Sequence, residues 1–134
     1  MRRRESTQMA SKVLIVEDNS VIARLWSGKL QKAGYETRIA ADGRTARNEM
    51  QRWRPDAVLL DMVLPETDGL SLCREWRADE ASKGVRIFFV SAVNSERDVH
   101  AAKEAGANGY LHKSPATAAR IVNVLQKSLQ MIPA

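Results

Sequence analysis

Five polar residues that can take part in chemistry come directly after stretches of sequence that suit buried strands. Three carry a carboxylate, one a hydroxyl and one an ammonium group: they are Glu17, Asp18, Asp61, Ser91 and Lys113. Two carboxylates ~4 Å apart repel by ~4 kcal/mol at an effective dielectric of ~20, so three together would hold a proton or bind a cation. The set therefore predicts a site for a divalent cation and an anion.

The residue types favour Mg²⁺ and phosphoryl transfer. Oxygen ligands without histidine or cysteine select a hard ion, and Mg²⁺ accepts one or two carboxylates together with water and phosphate oxygens. A carboxylate such as Asp61 can act as a nucleophile and form an aspartyl phosphate. Lys113 would supply a second cation and Ser91 a hydrogen bond to a phosphoryl oxygen. Catalysis of such a transfer is mostly positioning and charge neutralisation.

Each residue taken alone also has a purely structural interpretation. Glu17 and Asp18 could begin a helix, where acidic side chains are favourable. Asp61 could begin a turn, and Ser91 and Lys113 could be solvated residues at strand ends. Their common position at the ends of strands favours the functional interpretation.

The elements that must position these residues are short strands. Apolar residues that do not alternate with polar ones predict strands at 13–16, 58–60 and 87–90, and weaker patterns predict strands at 35–40 and 108–112. Unbroken apolar runs are typical of parallel strands covered on both faces.

Helices are predicted between the strands, because apolar residues recur there at spacings of three and four. The predicted spans are 19–33, 43–53, 69–81, 95–106 and 118–129. Gly34 and Gly106 are expected to end two helices, and Ser95 with Asp98 resembles a capping box. Alternating strands and helices predict a parallel sheet with helices on both faces, with ligands beyond the carboxyl ends of the strands.

Four motifs give the chain a family resemblance: "VLIVEDN", "LLDMVLPETDGL", "FFVSA" and "GYLHKSP". In order and spacing the chain resembles the receiver domain of two-component response regulators, the class that includes the stand-alone chemotaxis regulator. The resemblance extends from about Lys12 to Gln130. It implies a doubly wound (βα)5 flavodoxin-like fold, with a five-stranded parallel sheet of order 2-1-3-4-5 and helices on both faces.

The resemblance also implies a phosphoacceptor and a metal site. Asp61 would accept the phosphoryl group. Asp18, Asp61 and the backbone carbonyl of Val63 would coordinate Mg²⁺ directly, and Glu17 would act mainly through a water. On this basis the chain is a signalling domain that catalyses only its own phosphorylation and dephosphorylation.

Three further residues have roles implied by the resemblance. Lys113 and Ser91 would assist the transfer, and Ser91 would also be the switch hydroxyl. Tyr110 would be the aromatic switch that turns inward when Ser91 moves toward the phosphoryl group. His100 and His112 are predicted to have no role in phosphotransfer.

Two departures from the family pattern lead to specific expectations. The family usually follows its lysine with a proline joined by a cis bond, whereas Ser114 follows Lys113 here and proline comes at Pro115. A cis bond before a non-proline residue costs ~2.5–4 kcal/mol, so a trans Lys113–Ser114 bond is predicted, with Ser114 as an N-cap of the last helix. Val63 and Val93 are apolar where side chains flank the path of hydrolytic water, which predicts slow self-dephosphorylation.

The composition of the 134 residues fits one globular domain with a formal net charge of +5. Residues 1–11 are expected to be a disordered basic arm, 12–131 the receiver domain and 132–134 a tail. A second basic group is either a solvated face or a binding patch: it consists of Arg44, Arg47, Arg52 and Arg54.

The single cysteine, Cys73, is expected to be a buried filler rather than a reactive thiol. Without a signal sequence or a membrane-length apolar run, the chain is expected to be cytoplasmic.

The expected partners are a histidine kinase or phosphotransfer protein and an unknown downstream protein. Because no DNA-binding or enzymatic segment follows residue 130, output is expected through protein contact at the fourth helix, fifth strand and fifth helix, where a homodimer is also possible. One alternative is a receiver cut from a longer regulator or hybrid kinase. Others are an aspartyl-phosphate-forming phosphatase, a flavin-binding protein of related fold, and a degenerate receiver used for dimerisation.

Overall fold

The structure is a computed structural model that describes residues 11–92 and 95–130. Most of the predicted basic arm, the C-terminal tail and Val93 lie outside the described residues. Five strands form one sheet: β1 (Lys12–Val16), β2 (Glu36–Ala40), β3 (Ala57–Leu60), β4 (Arg86–Ser91) and β5 (Gly109–His112). Their order is β2-β1-β3-β4-β5, and all neighbours are parallel. The predicted flavodoxin-like fold and its strand order are confirmed.

Helices connect the strands in the predicted positions. They are α1 (Ser20–Lys32), α2 (Gly43–Arg52), α3 (Gly69–Ala78), α4 (Glu96–Glu104) and α5 (Thr117–Gln130). Side chains alternate between the two faces of the sheet, so the central strands β1, β3 and β4 each contribute to two cores. One core packs against α1 and α5 and contains Trp26 and Leu125. The other packs against α2, α3 and α4 and contains Leu72 and Phe89.

Two helices end as the glycine positions predicted. Gly34 and Gly106 have φ of 102° and 101°, a conformation that glycine adopts without strain. After α1, the N–H of Tyr35 donates to the carbonyl of Leu30 and that of Gly34 to the carbonyl of Gln31. This pair of bonds is a Schellman motif, and the same pattern closes α4 at Gly106. Both helices therefore stop where the following strand must begin.

The helix α3 ends earlier than predicted. It was expected over 69–81 and ends at Ala78, because Asp79 takes an extended conformation with ψ of 124°. The Asp79 carboxylate accepts from the N–H of Ala81 at 3.1 Å, and the hydroxyl of Ser82 donates to the carbonyl of Trp76. Side chains of Asp and Ser thus satisfy backbone groups locally and replace the last helical turn with a tight loop.

A small antiparallel hairpin after β3 was not predicted. Its two strands, Val63–Leu64 and Thr67–Asp68, pair across Pro65 and Glu66. Glu66 has φ of 67°, the conformation that the third position of a type II turn requires, after a proline in the second. The hairpin carries the chain away from Asp61 and returns it at Gly69.

Among the described helices, none combines the length and the apolar character that crossing a bilayer requires.

Candidate functional site

The strand β3 brings Asp61 to the carboxyl edge of the sheet. All four residues of Ala57–Leu60 are buried, and the N–H of Asp61 continues the pairing with β1 by donating to the carbonyl of Val16. One carboxylate oxygen, Oδ1, accepts from the N–H of Val63 at 3.2 Å. The Asp61 side chain is 11% exposed, so it stands at the edge of the core and not within it.

Two further carboxylates meet Asp61 from the end of β1. Oxygen atoms of Glu17, Asp18 and Asp61 all lie within 4.8 Å of one another. The Glu17 side chain is only 1% exposed, whereas Asp18 lies at the surface. The N–H of Asn19 donates to Glu17 Oε2 at 3.0 Å and holds that carboxylate in the turn before α1. The predicted acidic cluster is thus brought together.

Lys113 reaches this cluster from the end of β5. Its Nζ lies 2.7 Å from Glu17 Oε1 and 3.1 Å from Asp61 Oδ2. The same atom lies 5.9 Å from the centre of the Trp26 ring on α1, a contact that favours a cation. The lysine therefore bridges two acids beneath an aromatic side chain.

Burial and pairing act on the pKa values of this group in opposite directions. Burial raises the pKa of Glu17, and the hydrogen bond from Lys113 only partly offsets that effect. Burial also lowers the pKa of Lys113, but hydrogen bonds to Glu17 and Asp61 outweigh it, so the net pKa is above the ordinary value. Lys113 therefore carries its positive charge at neutral pH.

The donor set fits a Mg²⁺ ion. All three acids offer oxygen, and Mg²⁺ prefers such ligands at about 2.0–2.1 Å, which sets two ligand oxygens roughly 3–4 Å apart. Three carboxylates face one ammonium group, so negative charge remains for a divalent cation to balance. The buried Glu17 Oε1 has no partner within the described residues other than the ammonium group of Lys113, at 2.7 Å. Small movements would bring these oxygens around one ion.

Ser91 and Tyr110 lie on neighbouring strands near this edge. Ser91 ends β4, is 1% exposed, and its carbonyl accepts from the N–H of Lys113 at 2.8 Å. Tyr110 is half-buried on β5, where its ring centre lies 6.4 Å from that of Phe89. The predicted switch pair is thus placed on adjacent strands, one residue at the edge and the other beside α4.

The segment after Lys113 has the predicted trans geometry. No cis peptide bond occurs in the part of the chain that the structure describes, which includes the bond between Lys113 and Ser114. The Ser114 hydroxyl accepts from the N–H of Ala116 at 3.3 Å, but the regular part of α5 begins at Thr117. Ser114 therefore caps a turn that leads into α5. Thr117 and Trp26 were not predicted as neighbours of Lys113, although threonine at a helix start is a signal for capping.

The side chains of residues given no role in the site do not contact its carboxylates in the described part of the chain. The Sγ of Cys73 is buried and donates to the carbonyl of Ala105, and burial raises the pKa of the thiol, which confirms the structural interpretation. His100 lies exposed on α4, and His112 contacts the carbonyl of Ala92. In the second basic group, Arg47 on α2 makes two hydrogen bonds to Glu75 of α3 and so links two helices.

A doubly wound sheet with acids and a lysine at its carboxyl edge defines a receiver-type signalling domain. The family model for the response regulator receiver domain matches residues 13–126, and the chain belongs to this family.

Similar proteins include regulators of several kinds. The DNA-binding response regulator MtrA of Mycobacterium tuberculosis is 35% identical over 105 residues, which are 78% of this chain and 45% of that protein. The chain thus spans about half the length of such curated relatives. The chemotaxis protein CheY4 of Vibrio cholerae has a TM-score of 0.82 at 32% identity, covering 88% of this chain and 98% of that one. The receiver domain of a histidine kinase from Syntrophus aciditrophicus has a TM-score of 0.83 at 28% identity, covering 92% of each chain.

Proposed function

We propose that Asp61 is the phosphoacceptor of this receiver domain and that a histidine kinase or phosphotransfer protein supplies the phosphoryl group. The observation that carries the proposal is the convergence of Glu17, Asp18 and Lys113 on the Asp61 carboxylate. A carboxylate oxygen of Asp61 attacks phosphorus, the phosphorus–nitrogen bond of the donor breaks, and the electron pair stays on the imidazole. The product is an acyl phosphate on Asp61.

The surrounding residues have distinct tasks in this step. Glu17, Asp18, Asp61 and the carbonyl of Val63 would hold Mg²⁺, which supplies charge neutralisation between carboxylate and phosphoryl oxygens when bound. Lys113 already lies 3.1 Å from Asp61 Oδ2 and would bind a phosphoryl oxygen as charge builds up there.

The same proposal extends to output. Ser91 would donate its hydroxyl to the phosphoryl group, and Tyr110 would respond by moving inward. A shallow groove beside Tyr110 is lined by Val99 and Ala102 of α4, so movement of the ring would change the surface that α4, β5 and α5 present to a downstream protein or a second copy. Since phosphohistidine donors of this kind act inside the cell, we place the domain in the cytoplasm.

The context of the domain in its full protein is also a proposal. We infer output through protein contact at the surface of α4, β5 and α5. A receiver within a DNA-binding regulator or a hybrid kinase is the alternative, since relatives of both kinds are similar to this chain.

One experiment tests the phosphoacceptor. The protein is incubated with Mg²⁺ and acetyl phosphate, and the intact mass is measured. We expect the gain of one phosphoryl group, its removal by neutral hydroxylamine, and no gain without Mg²⁺ or in Asp61→Asn.

Asp68→Asn is the matched control for that experiment. Asp68 lies in the same loop and caps α3, and asparagine caps equally well, so this variant should be phosphorylated like the native chain. Phosphorylation of Asp61→Asn at the native rate would overturn the assignment, as would a native chain that stays unmodified while a known receiver is labelled.

A further inference from the structure

Lys113 lies in a loop that lacks the residue its family uses to shape it, so another feature must fix its position. Both peptide groups that flank its Cα are held by hydrogen bonds. The carbonyl of His112 accepts from the Thr117 hydroxyl at 3.0 Å, and the N–H of Ser114 donates to that same hydroxyl oxygen. The peptide group between His112 and Lys113 is held a second time, because the N–H of Lys113 donates to the carbonyl of Ser91.

One hydroxyl therefore connects the residue before Lys113 to the residue after it. Thr117 is 2% exposed, so water does not compete for its hydrogen bonds. A hydroxyl carries one proton, which goes to His112, and its oxygen remains free to accept from Ser114. Because the two backbone dihedrals of Lys113 lie between these two peptide groups, the hydroxyl restricts both of them.

The arrangement matters because the lysine side chain is long. A small rotation of the backbone at Lys113 displaces its Nζ by a larger distance from Asp61, and a 1 Å misplacement can cost roughly 100-fold in rate. The Nζ has its two acids at 2.7 and 3.1 Å, which are distances of direct ion pairs. Precise placement of the backbone is thus needed at the point where Thr117 acts.

We propose that Thr117 is a positioning residue for phosphoryl transfer: its buried hydroxyl joins His112 to Ser114 and thereby directs Lys113 toward Asp61 in a loop with a trans Lys113–Ser114 bond. This inference rests on the proposed function of Asp61. It assigns to Thr117 no contact with the phosphoryl group.

The test compares phosphorylation rates with acetyl phosphate and Mg²⁺. Thr117→Val removes the hydroxyl and keeps the shape, and we expect a rate at least about tenfold lower. Thr117→Ser keeps the hydroxyl and should restore the native rate. Ser114→Ala is the comparison within the same loop: it keeps the N–H that donates to Thr117 and removes a hydroxyl that lies 3.5 Å from the Thr117 oxygen and accepts from Ala116, so it should slow phosphorylation less than Thr117→Val does. If the valine variant does not fold, Thr117→Ala takes its place, since the smaller side chain admits water to the N–H of Ser114.

A double-mutant cycle decides whether Thr117 acts through Lys113. In a Lys113→Gln background the loss of the Thr117 hydroxyl should cause no further slowing. A native rate in Thr117→Val, or equal slowing by this change in both backgrounds, overturns the proposal.

A second measurement is independent of phosphorylation. In the metal-free protein the ammonium protons of Lys113 should give an observable NMR signal in the native chain and in Thr117→Ser, because the group is held between two acids. The signal should be lost in Thr117→Val, and its persistence there overturns the proposal. If the native chain is not phosphorylated at all, the proposed function fails, and this NMR comparison alone decides the role of Thr117.

Discussion

At the scale of single residues, the position of Asp61 follows from how its neighbours satisfy it. Its N–H pairs with Val16, Oδ1 accepts from Val63, and Oδ2 faces Lys113. A carboxylate at the edge of a core is tolerated when its charge is paired and its oxygens have donors. These contacts hold the Asp61 carboxylate at the edge of the core without any bound ligand.

Gly69 is predicted to be the least replaceable residue of the loop. A Cβ there would lie 2.2 Å from the carbonyl oxygen of Asp61 and 2.8 Å from the ring of Phe89. Gly69→Ala must displace the backbone of Asp61, so we expect a loss of about 1–3 kcal/mol in unfolding free energy and slower phosphorylation. Gly28→Ala is the matched control: nothing lies within 4 Å of its Cβ, and alanine in the helix α1 should stabilise by about 1 kcal/mol. Equal stability of the two variants in urea unfolding would contradict this prediction.

Val63 is predicted to prolong the lifetime of the phosphorylated state. Its side chain is 70% exposed next to Asp61 and cannot orient a water molecule. Val63→Asn should shorten the lifetime several-fold, measured as loss of phosphoryl mass after the donor is removed. Val21→Asn changes an equally exposed valine, at 71%, on α1 and should leave the lifetime unchanged. Loss within a few seconds from the native chain would refute the prediction. Val93, predicted to act in the same way, lies outside the described residues.

At the scale of elements, capping residues set the limits of the helices. Ser95, Asp68 and Asp42 each accept from a backbone N–H two or three residues into a helix. Asp98 differs from a standard capping box, because its carboxylate accepts from the Ser95 hydroxyl. These contacts explain why the helix starts agree well with the sequence patterns.

The cap at Asp42 predicts a specific pH dependence. The hydrogen bond from the N–H of Thr45, 2.8 Å long, lowers the pKa of Asp42 below its ordinary value of 3.8. A lowered pKa means that the stabilisation is complete above pH 3.8 and is lost as the pH falls through the folded-state pKa. Asp42→Ala should therefore cost about 1 kcal/mol at neutral pH and less in strong acid.

Urea unfolding of the native chain and of Asp42→Ala, repeated from neutral to strongly acid pH, measures the difference in their free energies of unfolding. Asp42→Asn keeps an uncharged cap, so acidification should not weaken its contribution at this residue. A cost of Asp42→Ala that stays constant as the pH falls would show that the carboxylate charge has no part in the cap.

The sequence was sufficient to predict strands and helices that have strong apolar patterns. It did not predict the features whose position is set by local polar contacts. The strands β1, β3 and β4 were predictable from unbroken apolar runs, because they are buried, whereas β2 and β5 are less buried and left weaker patterns. Two helix ends were predictable from the glycines that take a positive φ there. The early end of α3 depends on hydrogen bonds from Asp79 and Ser82, and the hairpin depends on a turn with Glu66 at positive φ. Such contacts have no periodicity, so a pattern cannot reveal them.

At the scale of the whole molecule, the parallel sheet collects residues that are distant in sequence. Glu17 and Lys113 are ion-paired although they come from β1 and β5, which are separated by two other strands. The sequence predicted that these residues share one edge, because carboxyl ends of parallel strands coincide. It did not predict the ion pair itself or the contact of Lys113 with Trp26, because side-chain direction across three strands depends on twist and packing.

Mg²⁺ is predicted to stabilise the folded protein. The cluster of carboxylates exists only in the folded chain. Binding of the ion therefore raises the free energy of unfolding, by about 2.7 kcal/mol at an ion concentration 100 times the dissociation constant. The melting temperature should rise when MgCl₂ is added and should not rise with NaCl of equal ionic strength. Asp18→Asn should remove the rise while leaving the metal-free melting temperature nearly unchanged, because Asp18 is exposed. A full Mg²⁺-dependent rise in this variant would exclude Asp18 as a ligand.

The closeness of Lys113 to Trp26 gives the domain an intrinsic optical reporter. Indole fluorescence responds to nearby charge, and the ring of this tryptophan, 5.9 Å from the ammonium nitrogen, experiences its electric field directly. When phosphorylation draws the ammonium group toward a new anion, the emission of Trp26 should change without any added dye. With Trp53 and Trp76 replaced by phenylalanine, that change would follow the chemistry at Asp61 in real time.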